Sequence, residues 1–96
     1  MHIITRKRIQ EFIAKYPDSK SSLENWYRII KKVEYASFSE LKQHFGSADY
    51  VDGFIVFNIS GNKYRLIAAI HFNRKKVYIR HILTHDEYDQ DMWKRG

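Results

Sequence analysis

The fold of this protein is decided by residues 54–72, which read FIVFNISGNKYRLIAAIHF. The first six of these residues are rich in aromatic and β-branched side chains, which favours a strand. The Ser-Gly-Asn that follows predicts a turn, and residues 64–72 predict a second, longer strand. A two-residue turn at Gly61-Asn62 places Asn58 opposite Arg65. This stretch therefore predicts an antiparallel hairpin.

A third strand is expected after this hairpin. Residues 73–76 read Asn-Arg-Lys-Lys and predict a loop, after which Val77 to Leu83 has the composition of a strand. A four-residue loop at 73–76 would pair Ala69 with Arg80 and Arg65 with Thr84. Together with the first hairpin, this strand predicts a three-stranded antiparallel meander.

Side chains alternate between the two faces of a strand, which separates core positions from outward ones. The even-numbered residues from Tyr64 to Phe72 are apolar and are expected to face the core, so Arg65 points outward. On the third strand the same reasoning places Val77, Ile79, His81 and Leu83 toward the core and Tyr78, Arg80 and Ile82 outward. If both registers hold, one side of the sheet carries Asn58, Lys63, Arg65, Arg80 and His85.

Helical patterns precede and follow the sheet. Apolar residues recur at helical spacing from Ile9 to Tyr16, and Pro17 is expected to end that helix. Three capping boxes predict further helix starts, at Ser21-x-x-Glu24, Ser37-x-x-Glu40 and Thr84-x-x-Glu87. His2-Ile3-Ile4 is a candidate for a short additional strand. The predicted class is α+β: N-terminal helices, a small antiparallel sheet and a short C-terminal helix.

Length and composition restrict the kind of protein. Ninety-six residues with 44% hydrophobic content suit one small folded domain rather than a disordered basic tail. The absence of cysteine excludes disulfides, thiol catalysis and zinc fingers, and it favours a reduced, cytoplasmic location. No apolar run approaches the roughly 18 residues of a membrane span, so no membrane partner is expected.

The net charge of +6 is concentrated in one part of the chain. Residues 53–85 contain six Lys or Arg and no acid, which gives +6. Residues 1–52 contain nine basic and seven acidic residues (+2), and residues 86–96 contain two and four (−2). Solvated surfaces usually mix both signs, so the acid-free block favours a face that binds an anion. The alternative is a strand face that is charged only for solubility.

The residue types in this block suggest phosphate chemistry. Arginine carries a planar fork of donors that fits phosphate oxygens. His85 lies where the third strand meets the last helix, and an imidazole can take or give a proton near neutral pH. A single histidine or tyrosine is nevertheless more often structural. His81-x3-His85 has metal-like spacing but lacks the glutamate of an HExxH motif, so we expect neither a metal nor a cofactor.

Three segments together resemble the HigB branch of the RelE-like toxins. They are FNISGNKYRLI at 57–67, VYIR at 77–80 and THDEYD at 84–89. The opening MHIIT and the helical half also match, so the resemblance covers nearly the whole chain. It implies a single RelE-like toxin domain over residues 1–96, with helices on one face of a small antiparallel sheet.

The resemblance also implies a function. Proteins of this kind are the toxin half of a bacterial type II toxin–antitoxin pair. They are endoribonucleases that cut mRNA, typically on translating ribosomes, and a HigA-like antitoxin holds them inactive. The implied reaction is attack by the 2′-hydroxyl of the RNA without a metal.

Site residues follow from the same resemblance. The catalytic set carried over is Arg65, Arg80, His85 and Tyr88. The arginines would stabilise the charge on the phosphorane, and His85 would act as base or acid. Tyr88 would orient the phosphate, stack on a base or assist proton transfer. Contacts to the RNA are expected from Asn58, Lys63, Arg74, Lys75 and Lys76.

Two other functional classes remain open. A non-catalytic RNA-binding module of the α-β-β-β-α type has a similar element order and basicity. Such a module normally carries positive charge at the start of its last helix, whereas here that position holds Asp86 and Glu87. The other class is a protein-binding module whose basic face docks an acidic partner.

Overall fold

The computed structural model of the protein describes residues 1–95. In chain order its elements are β1 (His2–Ile4), α1 (Lys7–Lys15), a 3₁₀ turn (Pro17–Ser19), α2 (Lys20–Lys32), α3 (Phe38–His44), β2 (Asp49–Val51), β3 (Phe54–Ile59), β4 (Tyr64–His71), β5 (Lys76–Thr84), α4 (His85–Asp89) and a final 3₁₀ turn (Met92–Arg95). This order confirms the predicted α+β class.

The sheet has five strands rather than three, in the order β1-β5-β4-β3-β2. The expected short N-terminal strand is present, and it pairs with β5 in parallel. The sequence analysis missed β2, which pairs with β3 through a two-residue turn at Asp52-Gly53. Both turn residues have positive φ, 51° and 84°, and Asp-Gly is a strong hairpin signal.

The predicted register of the first hairpin is confirmed, because Asn58 lies opposite Arg65. The Lys63 amide donates to the Ser60 carbonyl at 3.3 Å, which closes a turn around Gly61 and Asn62. Gly61 has a φ of +67°, a conformation that glycine adopts without steric cost.

The predicted register of β4 with β5 is wrong. The loop covers residues 72–75 instead of 73–76, so Ala69 lies opposite Tyr78 and Arg65 lies opposite Leu83. The Lys75 amide donates to the Phe72 carbonyl, and Lys75 itself has a φ of 56°, which closes the turn one residue earlier.

A β-bulge explains the rest of the difference. The partner of Ile67 is His81, whereas the partner of Ala68 is Ile79, so Arg80 is an extra residue on β5. Beyond the bulge the alternation is inverted. Ile82 therefore packs toward the helices, and Leu83 lies on the opposite face, contrary to expectation for both. His81, opposite Ile67, also lies on that opposite face.

Two of the three predicted helix starts are confirmed, one of them with a complete capping box. Thr84 and Glu87 bond to each other's amides, whereas Ser37 accepts from the Glu40 amide at 3.3 Å and the Glu40 carboxylate accepts from the Ala36 amide. The box at Ser21 is wrong, because α2 begins at Lys20 directly after the turn at Pro17. Within the described part of the chain, none of the helices has the length and hydrophobicity that a membrane crossing requires.

The sheet is covered on both faces. The N-terminal helices pack on one face and enclose the main core, which includes Leu23, Trp26, Phe57 and Leu66. The other face carries a smaller apolar cluster, to which Val56, Ile67, Trp93, Val51, Phe54, Leu83 and Tyr88 contribute. Trp93 comes from the final turn, so the C-terminal segment covers the face to which Arg65 belongs.

Candidate active site

Arg65 has the one charged side chain of the described residues that is buried, with 9% of the residue exposed. Its guanidinium donates to the carbonyls of Asn62 and Tyr64 at 3.0 and 3.1 Å. None of the ion pairs among residues 1–95 involves Arg65. A buried cation without a carboxylate is costly, so a charge in this position is suited to an anion from outside the chain.

Tyr88 lies beside Arg65, with the guanidinium carbon 5.5 Å from its ring centre. Trp93 stacks on the Tyr88 ring at 5.4 Å and 13° and donates its indole N–H to the Tyr88 carbonyl at 3.2 Å. Burial raises the pKa of the Tyr88 hydroxyl, and the nearby Arg65 charge only partly opposes this. The phenol therefore stays protonated at neutral pH and can donate a hydrogen bond to a phosphate oxygen.

Arg80 lies on the same face but at some distance from Arg65. It is the exposed extra residue of the bulge, and its guanidinium carbon lies 5.6 Å from the ring centre of Phe54. The strand rise places it about 10 Å along the sheet from Arg65. The structure thus brings Tyr88 to Arg65, whereas Arg80 stands at the other end of an aromatic row formed by Tyr88, Trp93 and Phe54.

His85 begins α4 at the mouth of an open cleft. The capping box of Thr84 and Glu87 sets the start of this helix, and the His85 amide donates to the Lys63 carbonyl at 3.0 Å. The exposed imidazole has its Nε2 atom 3.4 Å from an Asp89 carboxylate oxygen. The cleft measures about 530 Å³ and is lined by Ser60, Asn62, Lys63, Tyr64, Thr84, His85 and Asp86.

Lys63 lies in this cleft but is paired with the helical layer. Its ammonium group contacts the carboxylate of Asp18, which also accepts from the Tyr64 hydroxyl at 2.7 Å. The hydrogen bonds from Lys63 and then Tyr64 hold the pKa of the Asp18 carboxyl below its usual value. Asn58 belongs to the same hairpin, and its side-chain amide nitrogen lies 3.5 Å from the side-chain oxygen of Asn62.

The other predicted RNA contacts lie at the opposite end of the sheet. Arg74, Lys75 and Lys76 are in or next to the β4–β5 turn, and Lys75 donates to the Tyr35 carbonyl at 3.3 Å. The length of β4 puts this turn about 23 Å from the cleft. The structure therefore does not bring these residues together with His85.

Two residues that the sequence analysis missed support the site. Trp93 is buried although it lies in a charged segment, and a large aromatic in such a segment is a signal that could have been used. Asp18 reaches Lys63 across 45 positions of sequence, and no local pattern reveals that contact. Across residues 1–95, no three His, Cys, Asp or Glu side chains are placed to hold a metal ion.

Comparison with known proteins shows the family to which the chain belongs. A family model described as "HigB_toxin, RelE-like toxic component of a toxin-antitoxin system" matches residues 19–91. The "mRNA interferase toxin HigB" of Escherichia coli strain K12 is 39% identical over 92 residues, which cover 93% of this chain and 88% of that protein. The "mRNA interferase HigB" of Shigella flexneri has the same identity and coverage.

A third relative has a lower identity, but its match covers about as much of both chains. The "mRNA interferase HigB" of Escherichia coli O6:H1 is 34% identical over 93 residues, 94% of this chain and 90% of that protein. The matched region of the family includes β4, β5 and α4, which carry Arg65, His85 and Tyr88. These matches confirm the resemblance seen in the sequence, and the chain belongs to the HigB family of RelE-like toxic components of toxin–antitoxin systems.

Proposed function

We propose that this chain is an mRNA interferase whose active site comprises Arg65, Tyr88 and His85. The observation that carries the proposal is the buried Arg65 guanidinium, which has Tyr88 beside it and no carboxylate partner in the described chain. Such a group is available to a phosphate of the RNA backbone. The names of the relatives support the same activity.

The reaction is attack by the 2′-hydroxyl of the RNA on the adjacent phosphorus. The bond to the 5′-oxygen breaks, which leaves a 2′,3′-cyclic phosphate on one fragment and a 5′-hydroxyl on the other. The proton of the 2′-hydroxyl passes to a base, and the departing 5′-oxygen takes up a proton. His85 performs one of these two transfers, because its imidazole is exposed at the cleft.

Arg65 stabilises the negative charge that develops on the phosphorane oxygens. Tyr88 donates a hydrogen bond to one of those oxygens, since burial keeps its hydroxyl protonated. Arg80 contacts the backbone of a neighbouring nucleotide from the far end of the aromatic row. Lys63 and Asn58 flank the cleft at the β3–β4 turn. No step of this scheme needs a metal ion.

Membership of the family supports an antitoxin partner and an mRNA substrate. We propose that the antitoxin that holds this toxin inactive is HigA-like. We further propose that cleavage takes place on translating ribosomes, in the cytoplasm. The basic turn at Arg74, Lys75 and Lys76 lies too far from the cleft to contact the scissile phosphate, and it is free to bind ribosomal or messenger RNA backbone nearby.

The test is in vitro translation with the purified protein, followed by mapping of the mRNA 5′ ends. We expect new 5′ ends with ribosomes, fewer or none without them, and loss of these ends with Arg65→Ala or His85→Ala. His71→Ala is the matched control, because His71 is an exposed histidine at the other end of β4. Intact mRNA at high protein concentration would refute the proposal. RNA binding without cleavage would instead favour the non-catalytic RNA-binding module.

A further inference from the structure

A second cavity lies between β5, α4 and the final turn, on the same face of the sheet as Arg65. It measures about 280 Å³, and the reaction described above gives it no role. Two elements contribute polar side chains to it, and the sheet and the final turn contribute apolar ones. The lining comprises His81, Leu83, Glu87, Gln90 and Trp93.

The bulge in β5 places His81 at this cavity. Because Arg80 is the extra residue, Arg80 and His81 lie on the same face of the sheet although they are neighbours in sequence. Two positions along the paired strands separate His81 from Arg65, which corresponds to about 8 Å between their backbones. A nucleotide whose phosphate lies at Arg65 can therefore place its base near His81.

The imidazole of His81 has polar atoms to offer a ligand. The side chain is half-buried, and its ring nitrogens form none of the hydrogen bonds among the described residues. They are also not among the unpaired atoms that the fold buries completely, so they reach the protein surface. Burial lowers the pKa of this imidazole, and the charges of Arg8 and Arg80 lower it further. The ring is therefore neutral at pH 7, with one nitrogen that donates and one that accepts.

Glu87 and Gln90 add exposed polar groups to the lining. One carboxylate oxygen of Glu87 accepts from the Thr84 amide at 2.9 Å, and the other oxygen takes part in none of the described hydrogen bonds. None of the described lining residues is a Lys or Arg, so the carboxylate repels a phosphate from this cavity. The same carboxylate can accept hydrogen bonds from the N–H groups of a neutral ligand.

These features fit a flat, neutral group that has an apolar ring and N–H donors at its edge. A nucleobase has this chemistry, and proteins recognise single-stranded RNA through the rings and the hydrogen-bonding edges of its bases. Leu83 and Trp93 supply the apolar part of the lining. Adenine, cytosine and guanine carry an amino group that suits the second oxygen of Glu87, whereas uracil carries a carbonyl oxygen in its place.

We propose that this cavity is a nucleobase site that favours bases with an amino group, through hydrogen bonds to Glu87 and His81. The inference rests on the proposed function, because it assigns the base to a nucleotide whose phosphate lies at Arg65 and Tyr88. His81 and Glu87 thus determine which base stands beside the cut, and they take no part in the proton transfers.

The direct test is nuclear magnetic resonance of the histidine ring signals in the full chain. His81→Phe identifies the signal of His81, and His71, exposed at the far end of β4, is the internal control. Adenosine, cytidine and uridine are added separately as probes without phosphate. We expect adenosine and cytidine to shift the His81 signal at lower concentration than uridine does, and to leave that of His71 in place. Ribose 5-phosphate should leave the His81 signal unchanged.

Three results of this titration would overturn the proposal. The first is a His81 signal that responds to none of the three nucleosides. The second is an equal response to ribose 5-phosphate, because the site would then bind the sugar–phosphate and not the base. The third is an equal or stronger response to uridine, which would contradict the preference assigned to Glu87.

Glu87→Gln changes the chemistry of one atom and keeps the start of α4. Glutamine still accepts from the Thr84 amide through its carbonyl oxygen, while its NH₂ group replaces the second oxygen of Glu87. We expect cleavage next to adenine, cytosine or guanine to slow by about threefold to tenfold relative to cleavage next to uracil, as for one exchanged hydrogen bond. An unchanged preference would contradict the proposal.

Glu40→Gln is the matched control, because Glu40 accepts from the Ala36 amide at the start of α3 and lies outside the cavity lining. It should leave the site preference unchanged. His81→Phe removes both ring nitrogens and should weaken the same preference as Glu87→Gln, whereas His71→Phe should not. A change in Glu40→Gln or His71→Phe as large as in the cavity variants would refute the site.

The titration and the cleavage assay separate this inference from the proposed function. A wild-type chain that cuts mRNA but shows no nucleoside response at His81 keeps the function and loses the base site. A chain that binds adenosine or cytidine at His81 but cuts no mRNA keeps the base site and loses the nuclease.

Discussion

The guanidinium of Arg65 lies against the ring of Tyr88, with its central carbon 5.5 Å from the ring centre. The pairing of the strands produces this contact, because Arg65 lies opposite Leu83 and the chain continues through Thr84 directly into α4. A buried cation over an aromatic face gains some cation–π energy. This gain is smaller than the cost of burying a charge without a carboxylate partner. We therefore propose that the Arg65 charge serves binding and not stability.

Arg65→Met should separate activity from stability. Methionine keeps most of the side-chain volume and removes the buried charge, so we expect the free energy of unfolding to stay level or rise by up to about 2 kcal/mol. Cleavage should fall by about 100-fold or more, because the phosphorane loses its stabilising charge. Urea unfolding and mRNA cleavage measure the two effects.

Arg74→Met is the matched control for this experiment, since it removes an arginine from the exposed turn far from the cleft. It should weaken RNA binding slightly and flatten its salt dependence. A strong loss of stability in Arg65→Met with cleavage near the wild-type rate would show that Arg65 is structural.

His85→Ala should remove proton transfer without unfolding the protein. The side chain is exposed, and its contact with Asp89 is an exposed pair, so the stability should change by no more than about 0.5 kcal/mol. We expect cleavage to fall by about 10²- to 10⁴-fold. The open cleft leaves room for added imidazole, which should restore part of the rate in this variant and none in Arg65→Met. Rescue of both variants, or of neither, would argue against a proton-transfer role for His85.

Trp93→Ala should show how much the C-terminal segment contributes to the free energy of unfolding. Trp93 is 4% exposed and covers Val56 and Ile67, so its truncation is expected to cost about 3–5 kcal/mol of unfolding free energy. Trp93→Phe keeps most of the apolar contact and loses the hydrogen bond to the Tyr88 carbonyl, at a cost of about 1 kcal/mol. Fluorescence of the remaining Trp26 follows unfolding in both variants. Wild-type stability in Trp93→Ala would mean that the segment does not cover this face.

Asp18→Asn should alter the response of stability to acid. Hydrogen bonds from Lys63 and Tyr64 lower the pKa of the folded Asp18 carboxyl below the value of 3.8 expected in the unfolded chain. The folded state therefore binds this proton less readily, so the stabilisation is complete above the unfolded pKa and is lost as the pH falls through the folded one. Thermal melts between about pH 6 and pH 2.5 should show a shallower loss of Tm in Asp18→Asn than in the wild type.

Asp52→Asn is the control for the acid experiment, because Asp52 lies in the β2–β3 turn and takes part in none of the ion pairs of the described residues. Asparagine suits the positive φ at this position equally well. The acid response of this variant should match that of the wild type. A shallow response in both variants would mean that Asp18 has no special role.

Local patterns predicted most of the fold correctly and failed for one short strand and for the register of the last hairpin. The turn at Gly61-Asn62 set the register of β3 with β4, because the length of a tight turn fixes which residues of the two adjoining strands pair. The strand β2 was missed even though Asp52-Gly53 is a hairpin signal. This strand is only three residues long, which is too short to show an alternating pattern. The sequence could not predict the position of the loop after β4 or the bulge at Arg80. A shift of one residue in either leaves the local sequence pattern equally consistent with a strand.

The sequence also predicted only part of the candidate site. Alternation alone put Arg65 and Arg80 on one face, and both do lie there. Arg74, Lys75 and Lys76 belong to the same acid-free block and were predicted as RNA contacts, but the block does not reveal which end of a strand its charges occupy. Strand length settles this by placing them about 23 Å from the cleft.

The sequence by itself determined the α+β class, the central hairpin, the basic block and membership of the toxin family, because each rests on neighbouring residues or on a pattern that covers the chain. The tertiary structure decided that Arg65 is buried, that Tyr88 and Trp93 lie over the sheet and that Asp18 holds Lys63. These contacts join residues far apart in sequence, so they exist only once the packing of the sheet and the bulge in β5 have set which side chains meet. The +6 charge identified residues 53–85, alternation identified the face of the sheet, and packing made one arginine on that face the centre of the proposed site.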